Sequence, residues 1–222
     1  MKRIKFICLI VWLCSALSLQ GQTFSEGFTA QTVPDSIWQL MQGRSYQPNP
    51  YIQRADLRYL HVLHYDYDGR THQGELVCNK RIASKLLTIF RELYEAHYPI
   101  QRITLPDNYD ADDELQMRAN NTSAFCYRAV SGTEKLSYHA RGLAIDINPL
   151  YNPCVRRLKN GKIQVQPQVQ PSTAHPYIDR TKPFNYKITT DDLCYRLFIR
   201  HGFTWGGAWR SVKDYQHFEY HH

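Results

Sequence analysis

Two histidines and two aspartates have the residue types and spacing that could do chemistry. His139 and Asp146 stand seven residues apart in "SYHARGLAIDINP", and Asp214 stands three residues before His217 in "DYQHFE". Seven residues span about 10 Å on a straight helix and about 23 Å on a strand, so neither form lets His139 and Asp146 reach one ion. Gly142 lies between them, and a turn there would bring them together.

Both stretches contain strand patterns. In "LAIDI", residues Leu143, Ile145 and Ile147 alternate with two others, which predicts a strand whose opposite face carries Asp146. In "HFEY", His217 and Glu219 likewise share one face. A carboxylate and an imidazole on strand faces suggest that the two strands serve one site.

Two imidazoles and one carboxylate are a typical zinc ligand set. They leave a tetrahedral Zn²⁺ one open position for water, as in catalytic rather than structural sites. We therefore predict one Zn²⁺ per chain, held by His139, Asp146 and His217. The remaining acid, Asp214, would then be a general base. Glu219 is the alternative base, or else a partner that supports a ligand.

The same residues resemble a known family. "SYHARGLAID" resembles the SxHxxGxAxD motif of the zinc D-alanyl-D-alanine carboxypeptidases, and "DYQH" resembles their downstream acid-x-x-His motif. The family includes vancomycin-resistance-type D,D-carboxypeptidases and L-alanyl-D-glutamate endopeptidases. The stretches "WGGAW" and "DYQHFE" make the sequence most similar to the endopeptidase-like branch. The resemblance covers roughly residues 57–220.

The resemblance implies a function and a site. It implies a peptidase that hydrolyses peptidoglycan stem peptides with a zinc-activated water, either as an L-Ala-D-Glu endopeptidase or as a D-Ala-D-Ala carboxypeptidase. It also implies the zinc ligands and the base named above. Arg128, in "AFCYR", is implied as the cation that holds the scissile carbonyl oxygen. The alternative is a catalytically weak zinc-binding cell-wall or partner-binding module of the same fold.

Some positions depart from the family or have simpler interpretations. The branch often has Phe-Asn-Cys-Arg where this chain has "FCYR". The base may be Glu in the family, whereas this chain has Asp214 at that position. Arg128 has a purely structural alternative, which is to pair with Asp110, Asp112 or Asp113. Three further residues are interpreted either as parts of the site or as ordinary turn and core residues: Ser137, Trp205 and Trp209.

The N-terminus predicts export. A basic start, an apolar run and small residues make residues 1–21 a signal peptide, followed by an extension over 22–56 and a peptidase domain over 57–222. The exported chain would be periplasmic or secreted, with no membrane span and no lipid anchor. Its formal charge of +7 includes three cations in the leader and no basic block, which argues against nucleic-acid binding. We expect a monomer whose partner is the peptidoglycan substrate.

Four cysteines remain after the predicted leader: Cys78, Cys126, Cys154 and Cys194. In an oxidising compartment they permit two disulfides, with three connectivities, or they are buried free thiols. None belongs to a CxxC pair, which argues against a cysteine zinc site.

The rest of the chain predicts an α+β domain. Residues 57–80 read as a hairpin around Asp68-Gly69, and 81–99 as an amphipathic helix. Residues 156–188 contain four prolines and predict a long surface loop that borders the cleft. Strands and helices without regular alternation favour a small antiparallel sheet flanked by helices. The resemblance implies the same, in the Hedgehog/DD-peptidase-like form.

Overall fold

The computed structural model describes residues 27–130, 133–156 and 169–221. Its helices are α1 (Asp35–Met41), α2 (Lys80–Glu95), α3 (Asp113–Arg118) and α4 (Leu193–Arg200). Its strands are β1 (Thr29–Thr32), β2 (Leu57–Tyr65), β3 (Thr71–Asn79), β4 (Arg102–Ile103), β5 (Asn121–Thr122), β6 (Ala144–Asp146), β7 (Cys154–Arg156), β8 (Val169–Gln170), β9 (Thr204–Trp205), β10 (Val212–Asp214) and β11 (His217–Glu219). The α+β prediction is confirmed, and the predicted signal peptide lies outside the described residues.

The predicted hairpin forms the longest strand pair. β2 and β3 pair antiparallel from Leu57 opposite Asn79 to Tyr65 opposite Thr71. Gly69 adopts φ +75° in the connecting turn, a conformation that glycine tolerates best. β1 adds a third strand to β2, so the described part of the predicted extension packs on the same sheet.

Helix α2 packs its apolar stripe into the main core. Asn79 caps its N-terminus by accepting a hydrogen bond from the backbone N–H of Arg81. The stripe is fully or almost fully buried, as its 3.6-residue spacing predicts, and consists of Ile82, Leu86, Ile89, Phe90 and Leu93. The helix ends at Glu95, before Pro99.

Two small antiparallel sheets hold the residues singled out above. One has the order β6-β11-β9 and pairs Asp146 with His217. The other has the order β10-β7-β8 and pairs Asp214 with Cys154. The antiparallel architecture is therefore divided among several sheets rather than one, and β4 and β5 form a parallel pair.

The segment 156–188 is not wholly a loop. Val169 and Gln170 form β8 against β7, and a 3-10 helix spans Ser172–Tyr177. The guanidinium of Arg180 donates to the backbone oxygens of Tyr151 and Ile188, which ties the segment to the domain. A proline-rich sequence without periodicity could not reveal this tether. Residues 157–168 lie outside the described part.

The four cysteines among the described residues are all free thiols. Cys78, Cys126 and Cys194 are buried, and Cys154 is half-buried. The structure thus agrees with the free-thiol alternative and not with two disulfides. Among the described residues, no helix has the length and apolar character needed to cross a membrane.

Candidate metal centre

Strand pairing places Asp146 directly opposite His217. The two residues are register partners in the antiparallel pair of β6 and β11, so their side chains emerge side by side on one face. Asp146 Oδ1 lies 3.0 Å from Nδ1 of His217. Both residues are buried, and so is the isoleucine face of β6. The alternation in "LAIDI" therefore separates a hydrophobic core from a buried polar site, rather than a core from solvent.

A turn at Gly142 brings His139 to the same place. His139 begins a short 3-10 helix that ends at Arg141 and is capped by Gly142, whose φ is +65°. The carbonyl of Gly142 accepts a hydrogen bond of 2.8 Å from the backbone N–H of Asn79. A Cβ at position 142 would lie only 2.6 Å from that nitrogen. The predicted turn is confirmed, and the close backbone contact restricts this position to glycine.

The three side chains converge with spacings that suit a metal ion. His139 Nε2 lies 3.1 Å from His217 Nδ1 and 3.2 Å from Asp146 Oδ2. Ligand atoms about 2.0–2.1 Å from a tetrahedral ion are about 3.3 Å apart. One ligand atom from each residue fits within 4.8 Å of the others. The residues predicted as zinc ligands thus lie together as a group that could hold a metal ion.

The other ring nitrogen of each histidine faces an acceptor. Nδ1 of His139 lies 2.6 Å from the backbone oxygen of Ala124, and Nε2 of His217 lies 3.1 Å from Oε2 of Glu219. An N–H that donates to each acceptor leaves a lone pair on Nε2 of His139 and on Nδ1 of His217. Those two lone pairs point toward Asp146. The donor chemistry therefore fits a zinc ion.

The charges also favour a cation. Burial raises the pKa of Asp146, but contacts with His139 and His217 outweigh burial and hold that pKa well below its usual value. Burial lowers the pKa of His217, whereas hydrogen bonds to Asp146 and Glu219 raise it to about 10. A metal ion would replace the proton that these carboxylates otherwise stabilise on the imidazole.

Asp214 lies in the wall of the same cleft as the metal group and is half-buried. It is the last residue of β10, and its Oδ1 is buried without a hydrogen-bond partner among the described residues. Burial raises its pKa to about 6, although His217 opposes the shift. Gly206 permits this placement, because a Cβ there would lie 2.6 Å from the backbone oxygen of Asp214. A carboxylate with one free oxygen and a raised pKa can accept a proton near neutral pH.

Arg128 faces the same cleft and is also paired. Its Nη2 lies 2.9 Å from Oδ2 of Asp113, the third of the sequence alternatives. Asp110 instead lies 3.6 Å from Arg44, and Asp112 caps α3. Pairing does not remove the arginine from the site, since Arg128 and Asp113 both line the cleft.

Glu219 supports His217 rather than lying free. Its Oε2 contacts His217, and its Oε1 lies 3.2 Å from Nε2 of His221. His221 Nδ1 in turn lies 2.9 Å from the hydroxyl of Tyr138. The sequence reasoning missed His221 and Tyr138. The alternation of His217, Glu219 and His221 was the signal that could have indicated the first of them.

The remaining sequence candidates divide between site and core. Ser137 Oγ accepts a hydrogen bond of 3.2 Å from the backbone N–H of His139, which stabilises the turn. Trp209 lines the cleft, with its ring 5.3 Å from that of His217. Trp205 is buried in the core, and its indole N–H donates to the backbone oxygen of Tyr215.

A cleft of about 420 Å³ joins these residues. The metal group and Asp214 lie in its wall. The other lining side chains include hydrophobic residues and two further cations, namely Met117, Val130, Leu136, Lys135 and Arg156. Arg156 and Gln170, two residues of the predicted loop over 156–188, line the cleft. The volume suits a short peptide segment.

Comparison with known proteins gives one family match. A family model described as D-alanyl-D-alanine carboxypeptidase matches residues 131–220. The matched stretch contains His139, Asp146, Asp214 and His217, whereas Arg128 precedes it. No curated protein and no solved structure matches the chain. The match supports the family resemblance that the motifs carry, and with it a peptidase that acts on cell-wall peptides.

Proposed function

We propose that the protein is a zinc-dependent peptidase that hydrolyses peptidoglycan stem peptides. One Zn²⁺ per chain would be held by His139 Nε2, Asp146 and His217 Nδ1. The observation that supports this most strongly is the convergence of His139 Nε2, His217 Nδ1 and the two oxygens of Asp146, with spacings of 3.0–3.2 Å. Beside them, Oδ1 of Asp214 is buried and has no hydrogen-bond partner among the described residues. Three protein ligands with an open fourth position are typical of catalytic zinc.

The chain's own residues divide the remaining work. A bound zinc ion would act as a Lewis acid and would lower the pKa of the water that it binds. Asp214 takes the proton from the attacking water and then gives it to the leaving amine. Arg128 donates hydrogen bonds to the scissile carbonyl oxygen as negative charge develops there. Glu219 holds the imidazole of His217 in the tautomer that leaves Nδ1 free.

Two resemblances indicate different scissile bonds. The matching family model is described as a D-alanyl-D-alanine carboxypeptidase, whereas "WGGAW" and "DYQHFE" resemble the endopeptidase-like branch. Zinc-loaded protein should be incubated with purified muropeptides and the products weighed by mass spectrometry. Loss of a terminal alanine identifies a carboxypeptidase, and separation of L-Ala from D-Glu identifies an endopeptidase. A zinc-loaded protein that cleaves no muropeptide would instead be a binding module.

We propose in addition that the protein is exported and acts as a monomer in the periplasm or outside the cell. The basic and apolar leader over residues 1–21 supports export. N-terminal sequencing of the protein from the exported fraction should find a start near residue 22. Recovery of the chain in the cytoplasm with Met1 intact would contradict export.

A further inference from the structure

Asp113 makes a close contact with Arg128 at the cleft. Arg128 Nη2 lies 3.0 Å from Oδ1 and 2.9 Å from Oδ2 of Asp113, and about a quarter of each side chain is exposed. We propose that Asp113 is a positioning residue that holds the guanidinium of Arg128 against the substrate carbonyl oxygen. This inference rests on the proposed function, in which Arg128 binds that oxygen.

The pair leaves donors for a substrate. Both oxygens of Asp113 contact a single nitrogen of Arg128. A guanidinium has five N–H donors, so one occupied nitrogen does not exhaust them. Nε of Arg128 is buried and has no hydrogen-bond partner among the described residues. The contact therefore orients the guanidinium of Arg128 and leaves N–H donors available for a substrate.

Each partner is anchored separately. On α3, Gln116 Nε2 donates to Oδ1 of Asp113, and Asp112 caps the helix by accepting from the backbone N–H of Leu115. On the other side, the backbone oxygen of Arg128 accepts a hydrogen bond of 3.1 Å from the N–H of Ser137, next to the metal-site turn. The long side chain of Arg128 spans these two fixed elements, and Asp113 fixes its far end.

The position of Arg128 relative to the reacting groups supports the same role. Burial lowers the pKa of Arg128, but the negative charges of Asp113, and more weakly of Asp146 and Asp214, raise it. The guanidinium thus lies within the electrostatic field of a metal ligand and of the base. A donor there is effective only if it is held in place before charge develops on the substrate.

The test is a double-mutant cycle on zinc-loaded protein with one muropeptide substrate. Asp113→Asn keeps the shape of the side chain but removes its charge. Removal of a transition-state donor typically costs about 10²–10³-fold in kcat, so loss of its orientation should cost about ten-fold, with KM little changed. In the Arg128→Ala background the same substitution should change kcat by at most about two-fold.

Asp112→Asn is the matched control, because it alters the neighbouring acid while preserving a good helix cap. It should leave kcat unchanged, and all variants should keep their zinc content and thermal unfolding midpoint. An equal loss of kcat from Asp113→Asn in both backgrounds would overturn the positioning role alone. Full activity of Arg128→Ala would overturn the proposed role of Arg128, and with it this inference. Absence of turnover by the unsubstituted enzyme would overturn both the peptidase and the positioning role.

Discussion

Asp214 precedes and Glu219 follows His217 in the chain, and the surroundings of the two acids support different proposed roles. Both oxygens of Glu219 contact histidines, one on His217 and one on His221. Asp214 has a buried oxygen without a partner among the described residues, and burial raises its pKa to about 6. A base needs a free lone pair and a pKa near the working pH. Asp214 meets both requirements.

Substitution of each acid by its amide should separate the two roles. Asp214→Asn should lower kcat by about 10²–10⁴-fold and retain zinc, because only proton transfer is lost. Glu219→Gln should instead weaken zinc affinity by about 10–100-fold, because His217 loses its charged acceptor. Steady-state turnover of one muropeptide and zinc titration of both variants give the comparison. An Asp214→Asn enzyme with full turnover, together with a Glu219→Gln enzyme that has none, would reverse the assignment.

At the scale of elements, the turn at Gly142 and the pairing of β6 with β11 build the metal group. The alternation in "LAIDI" and the glycine after "HAR" predicted the strand and the turn correctly. The register that sets Asp146 opposite His217 could not be predicted from the sequence, because it depends on how strands 71 residues apart meet. The partner of Arg128 was undetermined for the same reason, since three aspartates compete for it in the sequence.

Gly142→Ala should damage both stability and the metal site. A residue with a Cβ at positive φ costs about 1–3 kcal/mol in the free energy of unfolding. Here the Cβ would also displace the backbone of Asn79, 2.6 Å away, and shift His139. Urea unfolding and zinc titration should show a loss of stability and weaker zinc binding.

Gly69→Ala is the control for that substitution. Gly69 has φ +75°, but a Cβ there would meet nothing within 4 Å. It should show the cost of the backbone conformation alone, with normal zinc affinity. Equal zinc affinity in the Gly142→Ala and Gly69→Ala proteins would contradict the role given to the turn.

At the scale of the whole molecule, separate sheets meet at one cleft. The metal group comes from β6, β11 and the turn that precedes β6, and Asp214, the proposed base, comes from β10. Composition and periodicity predicted the α+β class, the hairpin and the helix α2. They did not predict the division into several small sheets or the tether at Arg180, because both depend on contacts between distant segments.

The segment between β7 and β8 should influence which peptides are cleaved. Its residues 157–168 lie outside the described part, but Arg156, the last residue of β7, and Gln170 in β8 line the cleft. Shortening the segment should change the relative kcat/KM for different muropeptides, because loops at a cleft edge contact the substrate. Zinc content should stay the same. Unchanged selectivity would show that the segment is a solvated insertion.

The central claim is that one zinc ion at His139, Asp146 and His217 makes this chain a peptidase. The most direct test is zinc titration of the metal-free protein while muropeptide turnover is followed. Turnover should rise with added zinc and reach its maximum at one ion per chain, whereas His139→Ala should need far more zinc. His175→Ala, outside the metal group, should behave like the unsubstituted protein. Full turnover by the metal-free protein, or a normal titration by His139→Ala, would contradict the claim.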